Sequence, residues 1–366
     1  MTLIELFQTL LRFKSITPND DGAFDFIEKY LGDEWSFVNI DCKDTKNRFY
    51  FKKFNNNLQH LCFAGHIDVV SEGTGWSVEP FAADVIDGII TARGAQDMKS
   101  GVAAFLYACK HAKQFDGTLS ILLTSDEEGE GINGTIKALE YLKVNNFLPD
   151  YCVVAEPTCE EIFGDTIKIG RRGSINGNIV IKGKQGHAAY PLKCVNPIHN
   201  FADILPKIAG VHLDNGDDSF ASSQLIITDI RGGMEVANVT PSELKIMFNV
   251  RNSTHTKKED VENFMRKSLK GLEYELEIRQ NAFPFVTNKH SKVVKAIESS
   301  IKEVAKITAK HSTAGGTSDA RYFGAFGIQA IEFGVINDTM HSINERTSVK
   351  EIEELTKVFE GLIAKF

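Results

Sequence analysis

His66 closes the apolar run Leu61-Cys62-Phe63-Ala64-Gly65, and Asp68 follows two residues later. A buried strand of period two sends both side chains to the same side, so an imidazole stands beside a carboxylate able to orient it. Neutral imidazole ligates a metal through one nitrogen, and a carboxylate on its other N–H fixes the tautomer. The same event recurs along the chain. The run 118–125 leads into Asp126-Glu127-Glu128, the run 151–155 into Glu156, and the run 88–92 through Arg93-Gly94-Ala95-Gln96 to Asp97. The run 328–333 leads through a loop to His341. Two imidazoles with three or four carboxylates are too many for one tetrahedral zinc and suit two metals bridged by a carboxylate. Two zinc ions about 3.5–4 Å apart make water a nucleophile and steady the developing oxyanion, so the reaction class is hydrolysis of an amide or peptide bond. Neighbouring side chains diverge, so of Glu127 and Glu128 one can bind metal while the other accepts the proton of the attacking water.

Those residues need a scaffold that brings strand ends together. In open parallel α/β sheets the ligand site lies outside the carboxyl ends of the strands, and five strands are expected to deliver His66, Asp97, Glu127 or Glu128, Glu156 and His341 to one rim. Up to about residue 172 the pattern alternates strand with helix, which predicts a mainly parallel sheet covered by helices. From Gly173 the texture changes. Residues 174–182 alternate like an antiparallel strand, 197–208 and 256–269 are helical, and 222–230, 243–250 and 273–279 are strands. This β-α-β-β-α-β order predicts a ferredoxin-like α+β insertion. After Pro284 the first texture resumes, with a helix over 291–309. The expected fold class is therefore α/β: a catalytic domain over 1–172 and 285–366, interrupted by a lid and dimerisation domain over 173–284.

Composition excludes several classes of partner. The 366 residues carry 41 basic and 49 acidic side chains, a formal charge of −8, with no long basic run to follow phosphates or anionic lipid. Nucleic acid and membrane are not expected as partners, and no apolar run approaches the length of a span. Residues 1–14 have the spacing of an amphipathic helix, with Thr2 and Glu5 placed as a capping box, and lack the features of a signal peptide. The six cysteines form no C-x-x-C pair and fit a reducing cytoplasm. Gly129-Glu130-Gly131-Ile132-Asn133-Gly134 is a literal G-x-G-x-x-G, but Asp126, Glu127, Glu128 and Glu130 would surround a pyrophosphate with negative charge. Its glycines read as freedom for a tight turn. No nucleophile elbow surrounds Thr317-Ser318-Asp319. His60, His111, His199, His212, His255, His290 and His311 have no ligand-spaced partner and read as solvated or structural.

Five blocks carry a resemblance: His66-Ile67-Asp68-Val69-Val70, Arg93 to Lys99, Asp126-Glu127-Glu128-Gly129, Ala155-Glu156-Pro157-Thr158 and Met340-His341-Ser342-Ile343-Asn344-Glu345. They are similar to the metal-site blocks of the co-catalytic zinc metallopeptidases, the superfamily of aminoacylases, acetylornithine deacetylases and glutamate carboxypeptidases. Three more, Gly170 to Ser174, Gly186 to Pro191 and Ser312 to Arg321, resemble the branch that releases succinate from a succinylated diamino acid. The resemblance implies two zinc ions per subunit, with cobalt able to substitute. His66 and Glu156 would hold one and Glu128 and His341 the other, Asp97 bridging, Asp68 orienting His66, and Glu127 serving as general acid and base. It further implies a cytoplasmic homodimer acting on a small molecule. His187 of the partner's lid would stabilise the oxyanion, and Arg171, Ser174, Tyr190, Asn238, Arg251, Gly316, Thr317 and Asn337 would bind the substrate's carboxylates and amine. Thr91-Ala92, Ser71 and Ser100-Gly101 depart from the pattern at positions that shape loops. An acetylornithine deacetylase or aminoacylase is the alternative within the class, and a non-catalytic dicarboxylate-binding protein the alternative outside it.

Overall fold

The computed structural model describes residues 1–366, which form two compact units. The first comprises Met1–Gly170, Val286–Ser312 and Ser318–Phe366, the second Arg171–Phe285 and Thr313–Thr317.

The first unit is built on an eight-stranded sheet. In chain order its strands are β1 (Ser36–Asn39), β2 (Asn47–Lys53), β3 (His60–His66), β4 (Thr118–Thr124), β5 (Tyr151–Val154), β6 (Thr166–Lys168), β11 (Lys310–Ser312) and β12 (Gln329–Glu332). Across the sheet they run β1-β2-β4-β3-β5-β12-β6-β11. The four central strands β4, β3, β5 and β12 are mutually parallel, while β2 is antiparallel to β4. Every residue of β3 and β4 is buried, as expected of strands covered on both faces, which read as continuous rather than alternating apolar runs.

Helices α1 (Leu3–Arg12), α2 (Lys99–His111), α4 (Lys292–Ala305) and α5 (Val349–Ile363) supply that cover, with α5 packed between α2 and α4, and α1 on α2. Phe63 of β3 lies against Phe105 of α2 and Phe359 of α5, with ring centroids 5.8 and 5.1 Å apart. The expected capping box opens α1: Thr2 N donates to Glu5 Oε2 at 2.8 Å, and Glu5 N to Thr2 Oγ1 at 3.2 Å. The buried ammonium of Lys99 donates to the carbonyls of Leu10 and Phe13, tying the first turn of α2 to the end of α1. At Gly101 a Cβ would stand 2.3 Å from the Ala155 carbonyl, so only glycine lets α2 sit this close to the end of β5.

One expected strand does not join this sheet. Ile89–Thr91 instead pairs antiparallel with Val85–Ile86 and Arg346–Ser348 in a small separate sheet. Three residues with one buried side chain bury too little apolar surface for a central position. Asp97 therefore comes from the loop that follows, and four strands of the main sheet, not five, carry the rest.

The second unit holds β7 (Ser174–Lys182), β8 (Gln224–Gly232), β9 (Glu243–Arg251) and β10 (Tyr274–Ala282), all antiparallel, in the order β8-β9-β7-β10. With α3 (Lys258–Ser268) after β9 this is the split β-α-β arrangement. One sheet face, including Ile179, Ile246 and Phe248, packs with Val261 and Met265 of α3 into a core. The helical stretch 197–208 is two short helices, Pro197–Ala202 and Leu205–Ile208, because Pro206 in the first turn of the second has no N–H to continue the first.

His60, at the start of β3, is structural: its Nε2 lies 2.7 Å from Ser120 Oγ, and burial lowers its pKa to about 4. A histidine kept neutral in the fold contributes stability that is present above its unfolded pKa of about 6.5 and is lost as pH falls toward 4. Acidification from pH 7 to 5 is therefore expected to cost about 2 kcal/mol through this residue alone. Urea unfolding of wild type and His60→Gln at both pH values checks this. The variant's stability should fall less across the interval by that amount, and equal losses would assign the acid sensitivity elsewhere.

Candidate metal centre

All the expected ligands lie in the first unit, on the rim where the central strands end. His66 is the last residue of β3, Glu127 and Glu128 follow β4, Glu156 follows β5, and His341 lies in the loop after β12. Gly131, at φ +67°, turns the acidic segment away from the sheet, and Asn133 N donates to Asp126 Oδ2 at 2.9 Å before the helix Thr135–Val144 begins.

Asp97 stands between the two imidazoles. Its Oδ1 is 3.0 Å from His66 Nε2, and its Oδ2 is 3.1 Å from His341 Nε2. Glu156 Oε1 lies 3.9 Å from that same His66 nitrogen, and Glu128 Oε1 lies 2.9 Å from the His341 nitrogen. Two groups of donors thus share one carboxylate: His66 with Glu156, and His341 with Glu128. Donor atoms of His66, Asp97 and Glu128 all fall within 4.8 Å of one another.

Asp68 acts differently from the expectation in one respect. The His66 Nδ1–H is taken by the main-chain carbonyl of Asp68 at 2.9 Å, whereas the Oδ1 of its carboxylate is 3.6 Å away. The Asp68 carboxylate instead accepts from Glu128 N at 3.2 Å through Oδ2, and its buried Oδ1 has no hydrogen-bond partner. Either way Nδ1 is committed and Nε2 points to the rim, the tautomer a metal needs.

The electrostatics fit a divalent cation. Burial pushes Glu127 up to about 8 against the pull of His66, pushes Asp68 to about 6, and raises Glu156 together with repulsion from Asp97. Hydrogen bonds to Asp97 and then Glu128 hold His341 up at about 10. Burial works against charge on His66, but Asp97, Asp68 and Glu127 outweigh it and raise its pKa. Asp97 is itself buried, yet the two histidines keep its carboxyl below the usual range. Without added positive charge the site balances itself only by holding protons. Two nitrogens, several oxygens and a surplus of buried carboxyl groups suit binding of a hard-to-borderline metal ion.

Three residues near the site were not singled out as site residues from sequence. Buried Asp319 accepts from Thr135 Oγ1 at 2.6 Å, with the charge of Arg321 acting on it. Arg321 donates to Tyr322 Oη at 2.9 Å, whose O–H reaches the Gly131 carbonyl at 2.6 Å. Glu345 is buried against the Asp97 loop. Asp319 and Glu345 meet their partners far away in the chain, so no local spacing reveals them; the acids inside the blocks 312–321 and 340–345 are the only signal.

The remaining expected residues form smaller groups. In the second unit His187 pairs with Val239, Ala188 N donates to the Asn238 carbonyl at 2.9 Å, and the Tyr190 ring meets the His187 ring edge-on at 5.8 Å. His187, Tyr190 and Asn238 are therefore neighbours, with His187 and Tyr190 exposed. Arg171 donates to the Ala314 carbonyl at 3.0 Å, beside Gly315. Ser174 accepts from Asn249 Nδ2 at 3.0 Å at the start of β7, and Arg251 ends the adjacent β9. Gly316 and Thr317 belong to the same unit, while Asn337, in the first, donates its N–H to the Cys159 carbonyl at 2.9 Å.

The profile of peptidase family M20/M25/M40 matches residues 62–365. The chain is 75% identical over 366 residues to the succinyl-diaminopimelate desuccinylase of Aliarcobacter butzleri (strain RM4018), covering all of both chains. Among solved structures it resembles aminopeptidase PepT from Bacillus cereus ATCC 10987, with a TM-score of 0.80 at 19% identity over 99% of this chain and 97% of that one. It also resembles the YXEP protein of Bacillus subtilis, described as a dinuclear metal binding peptidase, with a TM-score of 0.74 at 16% identity over 99% and 96% of the two chains.

Proposed function

Starting from the fact that the chain belongs to peptidase family M20/M25/M40, we propose that this hydrolase cleaves N-succinyl-LL-2,6-diaminopimelate to succinate and LL-2,6-diaminopimelate, a step of amino-acid biosynthesis. The observation that carries the chemistry is Asp97 held between two imidazoles with Glu127 beside them. The substrate follows the relative from A. butzleri. His66 and Glu156 would hold one zinc, Glu128 and His341 the other, with Asp97 shared; cobalt has the same ligand preferences. Bound there, zinc supplies Lewis acidity for the scissile carbonyl and makes water acidic enough to attack near neutral pH. Glu127 takes the proton of the attacking water and returns it to the departing amine. The partner subunit's His187 donates to the developing oxyanion, and Arg171, Ser174, Tyr190, Asn238, Arg251, Gly316, Thr317 and Asn337 bind the substrate's carboxylates and amine.

The second unit serves in this reading as lid and dimerisation domain. Its support is the edge strand β8, which exposes Ile226 and Ile230 beside Met247 of β9; residues 210–213 cover this edge only as far as Leu225, and the rest of it suits a two-fold partner. Six free thiols support a cytoplasmic setting.

The test is a free-amine assay of zinc-loaded protein on the succinylated diaminopimelate and on N-acetylornithine. A site built to pair a remote carboxylate rejects a substrate lacking it, so kcat/KM should favour the succinyl compound by about 10²-fold or more. Arg251→Lys should erode that preference at unchanged metal content, because a lysine cannot reproduce a two-pronged grip on carboxylate. Equal or better turnover of acetylornithine would replace the desuccinylase reading by a deacetylase one.

A further inference from the structure

The loop carrying Asp97 is fastened by a side chain outside the ligand set. Glu345 is fully buried, at 0% exposure. Its Oε2 accepts from Arg93 Nη1 at 2.7 Å and Gly94 N at 3.0 Å, and its Oε1 accepts from Gln96 N at 2.7 Å and Asp97 N at 3.0 Å. One carboxylate thus gathers four donors from a single short loop, among them the main chain of Asp97. The Glu345 carbonyl adds a fifth bond, from Ala92 N at 2.9 Å.

The loop returns the grip. The Gln96 amide nitrogen donates to Asp338, and its Oε1 accepts from Thr339 N at 2.9 Å. His341 lies between this attachment at 338–339 and Glu345, at φ +60°. A non-glycine residue keeps that conformation only where the flanking chain over-determines it. Asn344, at φ +57°, is fixed in turn by Ser77, whose N–H and hydroxyl both donate to its Oδ1.

We propose that Glu345 and Gln96 form a reciprocal clasp that sets the spacing of Asp97 and His341, and so determines how tightly the site holds the metal bound by His341, Glu128 and Asp97. They are positioning residues, and the proposal rests on the two-metal reading above. Glu345→Gln keeps the size of the side chain but turns one acceptor into a donor facing N–H groups, so the Asp97 loop loses its anchor. Gln96→Ala removes the grip on 338–339 and leaves the Glu345 bonds in place.

The experiment is equilibrium binding of zinc, and separately of cobalt, to the metal-free full chain in competition with a chromophoric chelator. It is paired with the visible spectrum of the cobalt form and the thermal unfolding midpoint of the metal-free protein. Loss of a partner that orients ligands typically weakens metal binding by about 10- to 100-fold. Each variant should lose that much affinity at one of the two binding steps, alter the cobalt spectrum, and keep the affinity of the other step closer to wild type. Should Glu345→Gln fail to fold, Gln96→Ala decides alone. Variants that only lower the unfolding midpoint, with both affinities and the spectrum unchanged, overturn the clasp. Wild-type protein that binds no second ion refutes the two-metal reading instead, a distinct outcome.

Discussion

Glu127→Gln is expected to lower turnover by about 10²–10⁴-fold while the bound metal content stays at the wild-type level, since that is the range a positioned proton acceptor contributes. The structure separates the two adjacent glutamates. Glu128 faces His341 at 2.9 Å and its main-chain N–H is held by Asp68, whereas no hydrogen bond commits the Glu127 carboxylate to either histidine. Burial first, with repulsion from Asp319, Asp97 and Glu128, lifts the Glu127 pKa to about 8 in the metal-free site, and cations bound at the rim would draw it down toward the range where a group both takes and returns a proton near neutrality. Glutamine has the same shape and cannot accept the proton. The check is kcat together with metal analysis of the purified variant. A variant that loses one equivalent of metal while Glu128→Gln retains both would reverse the two roles.

Removing the metal is expected to abolish activity, leave the fold intact, and be reversed by added zinc. The sheet and its helices bury the core of the first unit without help from the rim, so circular dichroism of chelated protein should match the untreated sample. Rebinding should depend steeply on pH, and the sign follows from the histidines. Asp97 and Glu128 hold His341 protonated up to about 10, and His66 is likewise raised. Each Nε2 must surrender its proton before its lone pair is available, so apparent affinity falls as pH falls, by up to about tenfold per pH unit for each proton displaced. Titration in weak buffer should release protons and acidify the solution. Full activity in chelated protein would refute the mechanism, and pH-independent binding would refute the protonation of the empty site.

Much of this was legible in the chain because local patterns dictate it. The place of β7 follows from alternation, that of β3 and β4 from mainly apolar runs, and the start of α1 from its capping box. What escaped depends on partners distant in sequence. A three-residue stretch such as Ile89–Thr91 looks alike whether it joins a large sheet or a small one. The tautomer of His66 is fixed by a carbonyl, which every residue possesses and no sequence pattern displays. Glu345 meets its donors some 250 positions upstream, so its type alone could not announce its task.

The order of strands in the first sheet has a bearing on how the protein is made. β5 is flanked by β3 and by β12, and β12 is also the neighbour of β6. A growing chain therefore exposes one flank of β5 from the moment it leaves the ribosome until residues 329–332 follow. At about 5–20 residues per second that delay is on the order of ten seconds or more. Residues 174–282, which contain all of the four-stranded sheet, are contiguous and emerge within the same interval. Nascent chains should thus acquire the antiparallel sheet before the parallel one is complete. His341 is made later still, so the full ligand set is assembled only after β12 has emerged.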